Sequence, residues 1–165
     1  MDKPETRTPI TTFTRTRNVT WEEIDSFARK HADEISTRYT LLVAILRSGA
    51  PIATAIARIT GLPVDYMFCN RYRPRPEFID GEIRAPRGQR ILLVDDISGT
   101  GWTFRTCADY CKSLGNEVST LSVYYCDEPG MFRPDYADPM DAKTYLHWPW
   151  EYQQEPEMPG KKGTS

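Results

Sequence analysis

Histidine is scarce, with two residues in a chain of 165, and the four cysteines Cys69, Cys107, Cys111 and Cys126 form no CxxC pair. That excludes a zinc ribbon or a His-rich metal site. The thiols are expected to be buried and unpaired, in a reducing compartment. No apolar run approaches the roughly 20 residues of a membrane span; the longest, Leu41 to Leu46, has the length of a strand. Met1-Asp2-Lys3-Pro4-Glu5 carries no apolar h-region, so no export signal is expected and the chain is assigned to the cytoplasm, with no membrane partner. Neither sign of charge dominates. The 21 basic and 23 acidic side chains leave −2, which argues against a wholly basic nucleic-acid wrapper. There is no GxxxxGK[ST], hence no P-loop, and there is no internal repeat. What is there, 39% apolar and 27% charged residues, suits one domain able to bury its own core.

Thr and Arg crowd residues 1–17 without a clear period, as in an arm or an edge strand. Thr20-Trp21-Glu22-Glu23 reads as a capping box, with Trp21, Ile24, Ala28, His31 and Ile35 on one helix face behind it. His31 is expected to pack there, not to bind a ligand. Thr40 to Leu46 is a continuous apolar run, as in a strand buried on both faces. Pro51, Ile52, Ile56 and Ile59 predict a helix that Gly61 ends. Pro63 to Cys69, Arg90 to Val94 and Val118 to Cys126 predict three more strands, with a helix over Phe104, Cys107, Ala108, Cys111 and Leu114 closed by Gly115. Strand–helix alternation of this kind predicts an α/β fold with a mainly parallel twisted sheet flanked by helices. Asn70 to Arg87 breaks the pattern. Its Arg71, Arg73, Arg75, Arg84 and Arg87 stand among Pro74, Pro76, Pro86 and Gly81, which predicts a functional loop or a hairpin. Residues 152–165 are polar and read as a disordered tail.

The chemistry concentrates in Ile91-Leu92-Leu93-Val94-Asp95-Asp96-Ile97-Ser98-Gly99-Thr100-Gly101-Trp102-Thr103. A buried strand delivers two carboxylates to the carboxyl edge of the sheet, where open α/β folds bind ligands. The Ser/Thr/Gly loop then opens a helix and can wrap a phosphate with backbone amides and hydroxyls. Gly99 and Gly101 are expected to allow close approach and positive φ. Asp95 and Asp96 can accept hydrogen bonds from vicinal hydroxyls or hold Mg²⁺ through its waters. Phosphate, diol and metal together describe a ribose phosphate.

The complete pattern resembles the PRPP-binding signature of the type I phosphoribosyltransferases, and the resemblance extends over about residues 20–151. It implies that Asp95 and Asp96 hold the ribose, with Asp96 also at the metal. Ser98, Gly99, Thr100, Gly101 and Thr103 would then cradle the 5′-phosphate. Ala44-Ile45-Leu46-Arg47-Ser48-Gly49-Ala50 resembles the family's pyrophosphate loop, which often holds a non-proline cis peptide. Arg47 would meet the diphosphate, with backbone contacts from Ser48 and Gly49. The Arg-rich stretch at about 70–87 corresponds to the family's mobile loop. Asp141-Ala142-Lys143-Thr144-Tyr145-Leu146-His147-Trp148-Pro149-Trp150-Glu151 resembles the C-terminal hood of bacterial xanthine-guanine phosphoribosyltransferases. There Tyr145 would stack on the base, the Leu146 backbone would read its edge, and Glu151 would stand near the metal waters. The implied organisation is an arm at 1–17, a domain at 18–151 with a hood at about 127–151, and a tail.

Two positions depart from the 6-oxopurine enzymes. Gly99 stands where those enzymes carry an Asp facing purine N7, and Cys126-Asp127-Glu128-Pro129 contains no Lys where they place one for the 6-oxo group. The expected activity is transfer of the 5-phosphoribosyl group from PRPP to a nucleobase, a purine of the xanthine, guanine or hypoxanthine type, with Mg²⁺ as cofactor. The expected assembly is a homo-oligomer, dimer or tetramer, without a nucleic-acid partner. The alternative is a PRPP- or nucleotide-sensing regulator of the same fold that does not turn over and whose basic segment at 71–90 could contact RNA or DNA.

Overall fold

The computed structural model describes residues 13–70 and 75–151. A six-stranded sheet forms the centre, built from β2 (Leu41–Leu46), β3 (Val64–Phe68), β4 (Glu77–Phe78), β5 (Arg90–Ser98), β6 (Glu117–Cys126) and β7 (Tyr136–Met140). Their spatial order is β4-β3-β2-β5-β6-β7, parallel throughout except for the antiparallel β3–β4 pair. A separate parallel pair joins β1 (Arg15–Asn18) to β8 (Thr144–His147). Among the described residues, three α-helices complete the fold: α1 (Trp21–Arg38), α2 (Gly49–Thr60) and α3 (Trp102–Ser113).

The period-2 alternation of the central strands sorts their side chains between two cores. Leu42, Ala44, Leu92, Val94, Leu121 and Val123 face α1 and α2, where Ile24, Phe27, Ala28, Ile35, Ile52, Ala53 and Ile56 are buried. Val43, Ile45, Met67, Ile91 and Leu93 face α3, against Phe104, Cys107 and Cys111. Each such aliphatic side chain contributes about 1.5–3 kcal/mol when fully buried. α1 begins at the expected capping box: the Glu23 N–H donates to Thr20 Oγ1 at 3.2 Å, and the Thr20 N–H donates to Glu23 Oε2 at 2.8 Å. His31 lies edge-on to Phe27 and Tyr136, at 4.8 and 5.3 Å between ring centroids, and packs as expected.

The chain runs from β2 outward to β3 and β4, then returns to lay β5 on the other side of β2. That reversal opens a crevice between the carboxyl ends of β2 and β5, the place where doubly wound sheets bind ligands.

Several expected boundaries move. β5 does not stop at Val94 but carries both aspartates and ends at Ser98, since its ladder with β6 continues to Ser98–Tyr125. The arm expected over 1–17 already contains strand from Arg15, held by the ladder to β8. β7, within the segment expected to form a hood from about 127, pairs with β6 and belongs to the main sheet. Pro139 is tolerated in β7 because the strand is at the sheet edge. The Arg-rich segment forms a hairpin with β3 through β4, followed by a 3-10 turn at Glu82–Arg84. Arg71, Arg73 and Pro74 lie outside the described residues, as does the segment expected to be a tail.

Candidate functional site

Three loops meet at the crevice. The first follows β2, where Leu46–Arg47 is a cis peptide bond. Arg47 is exposed, Ser48 stands at the start of α2, and Ser48 Oγ donates to Asp95 Oδ1 at 3.4 Å. Gly49 is buried against β5, where a Cβ would lie 2.1 Å from the Val94 carbonyl oxygen. Only glycine lets α2 start this close to the strand. The two loops expected to share a ligand are therefore in contact.

The second loop joins β5 to α3. Gly101 precedes the helix at φ +78° with no side-chain cap, leaving the first-turn amides of α3 without an intrahelical acceptor. Such a helix start attracts anions. Gly101 is doubly required, since a Cβ there would fall 2.2 Å from Phe132 Cβ. Gly99 differs from expectation: its φ is not positive, and a Cβ would meet nothing within 4 Å. Neither conformation nor crowding demands a glycine at this position. Ser98 Oγ is already engaged, donating to the Phe132 carbonyl at 3.0 Å, while the Phe132 N–H donates to the Gly99 carbonyl at 2.8 Å. Thr100 is exposed; Thr103, in the first turn of α3, is half-buried.

Phe132 organises the back of this loop and escaped the sequence reading. Its ring packs on Phe104 at 5.8 Å and lies under the Arg105 guanidinium at 5.2 Å, and Arg105 Nη1 donates to the Thr100 carbonyl at 2.9 Å. No local signal marks contacts between segments this distant in sequence, at a position that reads only as a loop.

The carboxylates occupy successive positions at the end of β5, and their side chains interact with each other. Burial raises the Asp95 carboxyl well above the ordinary carboxylate range, and the charge of Asp96 adds to this. Hydrogen bonds from the Asp96 N–H, at 3.0 Å, and from Ser48 oppose the rise. Asp96 is pushed up to about 6, mainly by burial, with a further contribution from Glu151; the Ile97 N–H, donating to its Oδ1 at 2.7 Å, pulls the other way.

Glu151 belongs to the third loop. Its Oε2 accepts from the Trp148 N–H at 3.2 Å, and its own N–H returns to the Trp148 carbonyl at 3.1 Å. Trp148 stacks on Trp150 at 5.0 Å, and Trp150 leans on Trp21 at 5.7 Å, which anchors this turn to α1. Tyr145 is half-buried, edge-on to Phe13 and His147 at 5.2 and 5.0 Å. The charge of Glu151 acts on the Tyr145 hydroxyl as well as on Asp96. The Leu146 side chain is buried in the core, and its backbone lies opposite Arg17 in the β1–β8 ladder. Further along the carboxyl edge, Asp127, Glu128, Pro139, Met140, Asp141 and Ala142 line a cavity of about 360 Å³.

Residues 17–157 match the phosphoribosyl transferase domain family. The chain belongs to this family. It is 26% identical over 113 residues to a hypoxanthine/guanine phosphoribosyltransferase of Methanosarcina mazei, a match covering 59% of this chain and 56% of the relative. An orotate phosphoribosyltransferase of Thermococcus gammatolerans is 33% identical over 84 residues, covering 48% of this chain and 42% of the relative. The chain thus matches only about half the length of these curated relatives. In fold it is similar to a purine phosphoribosyltransferase from Pyrococcus horikoshii, with a TM-score of 0.73 at 21% identity over 87% of this chain and 99% of that one. The type I phosphoribosyltransferase fold expected from the sequence is the fold observed.

Within that fold, the contacts and charge effects link Ser48 to Asp95, Gly49 to Val94, and Glu151 to Asp96 and Tyr145, while Gly101 opens α3 and Arg47 stands exposed beside Ser48. No group of three or more His, Cys, Asp or Glu side chains among the described residues is arranged to hold a metal ion. Among the same residues, no helix is long and apolar enough to cross a membrane.

Proposed function

We propose that the protein transfers the 5-phosphoribosyl group from PRPP to a purine base at the crevice between β2 and β5, releasing pyrophosphate. The observation that carries this reading is the meeting, at one switch point, of a paired carboxyl site, an uncapped helix start and an exposed Arg47. The α3 amides, with Thr100 and Thr103, hold the 5′-phosphate. Asp95 and Asp96 accept hydrogen bonds from the ribose hydroxyls and stabilise positive charge growing on the sugar as the C1–O bond stretches. Arg47 takes the developing charge of the diphosphate. Tyr145 offers a ring face to the base, and the Leu146 backbone reads the base edge.

Mg²⁺ fits the donor set. Asp96 and Glu151 are two oxygen donors whose mutual repulsion a cation relieves, and Mg²⁺ is typically bound through one or two carboxylates, with waters and substrate phosphates completing its shell. When bound, it neutralises charge on the leaving diphosphate.

Gly99 supplies no proton acceptor for the base, so Glu151 or the Asp127–Glu128 pair accepts the proton, or the base enters as an anion. The match to relatives named hypoxanthine/guanine phosphoribosyltransferases supports a 6-oxopurine. A cytoplasmic setting belongs to the same proposal and accords with four free cysteines. A dimer or tetramer is also proposed, and light scattering checks it.

The test is incubation with PRPP, Mg²⁺ and, in turn, xanthine, guanine, hypoxanthine and orotate between pH 6 and 9, scored for the nucleotide product. Purine nucleotide is expected, with xanthine gaining most as pH rises. Product from orotate alone would overturn the purine assignment. Binding of PRPP without product from any base would identify a sensor instead of an enzyme.

A further inference from the structure

The stretch expected to be an arm reaches Tyr145, a contact to which the proposed reaction assigns no role. The Thr14 N–H donates to the Lys143 carbonyl at 2.9 Å, just ahead of the β1–β8 ladder. Within the ladder Thr16 lies opposite Tyr145 and Asn18 opposite His147, and the Val19 N–H continues it to the His147 carbonyl at 2.8 Å. Side chains alternate along β8. Leu146 enters the core, so Tyr145 and His147 share the other face. There two rings meet the Tyr145 ring edge-on, Phe13 at 5.2 Å and 74° and His147 at 5.0 Å and 73°.

We propose that Phe13 is a positioning residue of the nucleobase site, holding the Tyr145 ring in place before the base arrives. The proposal rests on Tyr145 being the base's stacking partner, as proposed above. β1 and β8 have four residues each, and a two-stranded ribbon is marginally stable by itself. A half-buried tyrosine on such a ribbon gives up ring and chain freedom when a flat base settles on it, which weakens binding. Phe13 removes part of that cost in advance. Its ring stands nearly perpendicular to that of Tyr145, a geometry that ring quadrupoles favour. The neighbouring Arg15–Asp141 ion pair, exposed and 3.4 Å long, holds the ribbon only weakly. The ribbon is also a sheet of its own, apart from the strand that carries Asp95 and Asp96. The effect of Phe13 therefore falls on the base, and not on the phosphate or the ribose.

The full chain and its Phe13→Leu, Phe13→Tyr and Tyr145→Ala variants are titrated calorimetrically with GMP and with ribose 5-phosphate. The second ligand carries the same phosphate and sugar without the base. Phe13→Leu keeps apolar bulk but loses the ring. It should bind GMP roughly two- to tenfold more weakly, the span of one edge-on ring pair, and ribose 5-phosphate as the wild type does. Phe13→Tyr should restore the affinity for GMP. In the unliganded Phe13→Leu protein, the Tyr145 ring resonances, assigned by their loss in Tyr145→Ala, should shift and sharpen as the ring gains freedom. Phe13→Met takes the place of Phe13→Leu should the latter not fold. If Tyr145→Ala weakens GMP binding while Phe13→Leu does not, the positioning role is overturned and the stacking role of Tyr145 stands. If neither variant weakens it, or the wild type does not bind GMP, Tyr145 is not the stacking partner and the proposal falls with it. Equal weakening of GMP and ribose 5-phosphate by Phe13→Leu would mark a general structural role and overturn the proposal.

Discussion

Asp96→Asn should stabilise the unliganded protein while disabling it. The carboxyl is buried and held near pH 6, against an ordinary value of 3.8. At neutral pH the folded chain therefore carries an ionised group that it would rather keep protonated, at an order-of-magnitude cost of about 3 kcal/mol. Because the folded value is raised, the contribution of Asp96 to stability is fully present below pH 4. It is lost as pH rises through 4 to 6 and stays lost above. Asparagine keeps an oxygen for the Ile97 N–H and pays no penalty for a buried charge, and it also relieves the repulsion felt by Asp95. The difference in stability between variant and wild type should grow from pH 4 to pH 7 and then level off. For a domain of this size that corresponds to about 6–12 °C in Tm. Circular dichroism melts of the unliganded proteins across pH 4–8 measure it. A variant with native secondary structure that is no more stable than the wild type at pH 8 would refute the electrostatic account. Sites that bind charged ligands are often destabilising in this way.

With the best base, the same variant should lose roughly two to three powers of ten in kcat/KM, as expected for one preorganised electrostatic group; unchanged turnover would displace the ribose site. Glu151→Gln should bring the Asp96 carboxyl down, because it removes a negative charge that raises it; carboxyl resonances followed by NMR against pH will show the midpoint moving to lower pH. Gly49→Ala should destabilise the fold or push α2 off β5, since the new methyl would overlap the Val94 carbonyl at 2.1 Å; a melt and a heteronuclear spectrum identical to wild type would argue against so close an approach. Tyr145→Ala should raise KM for the base by an amount equivalent to about 1–3 kcal/mol of stacking and leave PRPP affinity unchanged, which steady-state kinetics with each substrate varied will separate.

The central strands were legible because the apolar runs Leu41–Leu46 and Ile91–Val94 are too continuous for a half-exposed strand, and because the intervening glycines and prolines mark helix ends. Thr20 and Glu23 disclosed the start of α1 through the chemistry of the cap itself. β7 was not legible: Tyr136–Met140 has a Pro, three half-buried residues and an irregular ladder to β6, so it lacks the period of a strand and is recruited by its neighbour. β1 and β8 are each only four residues long, and each exists because the other pairs with it. In the site, the carboxylates and the helix-opening loop are consecutive in sequence and could be read directly. Phe132 over Gly101, and Glu151 acting on Asp96, are contacts between distant segments that only the folded chain reveals. Gly99 shows the opposite error. Its sequence context suggests a conformational glycine, yet its backbone is one that any residue can adopt.

Calorimetric titration of the protein with PRPP in the presence of Mg²⁺, set beside the same titration of Arg47→Ala, tests the central claim most directly. The account predicts one PRPP per chain for the wild type and markedly weaker binding for the variant, with native circular dichroism in both. Equal affinity in the two proteins, or no binding to the wild type, would contradict a PRPP site at the crevice between β2 and β5.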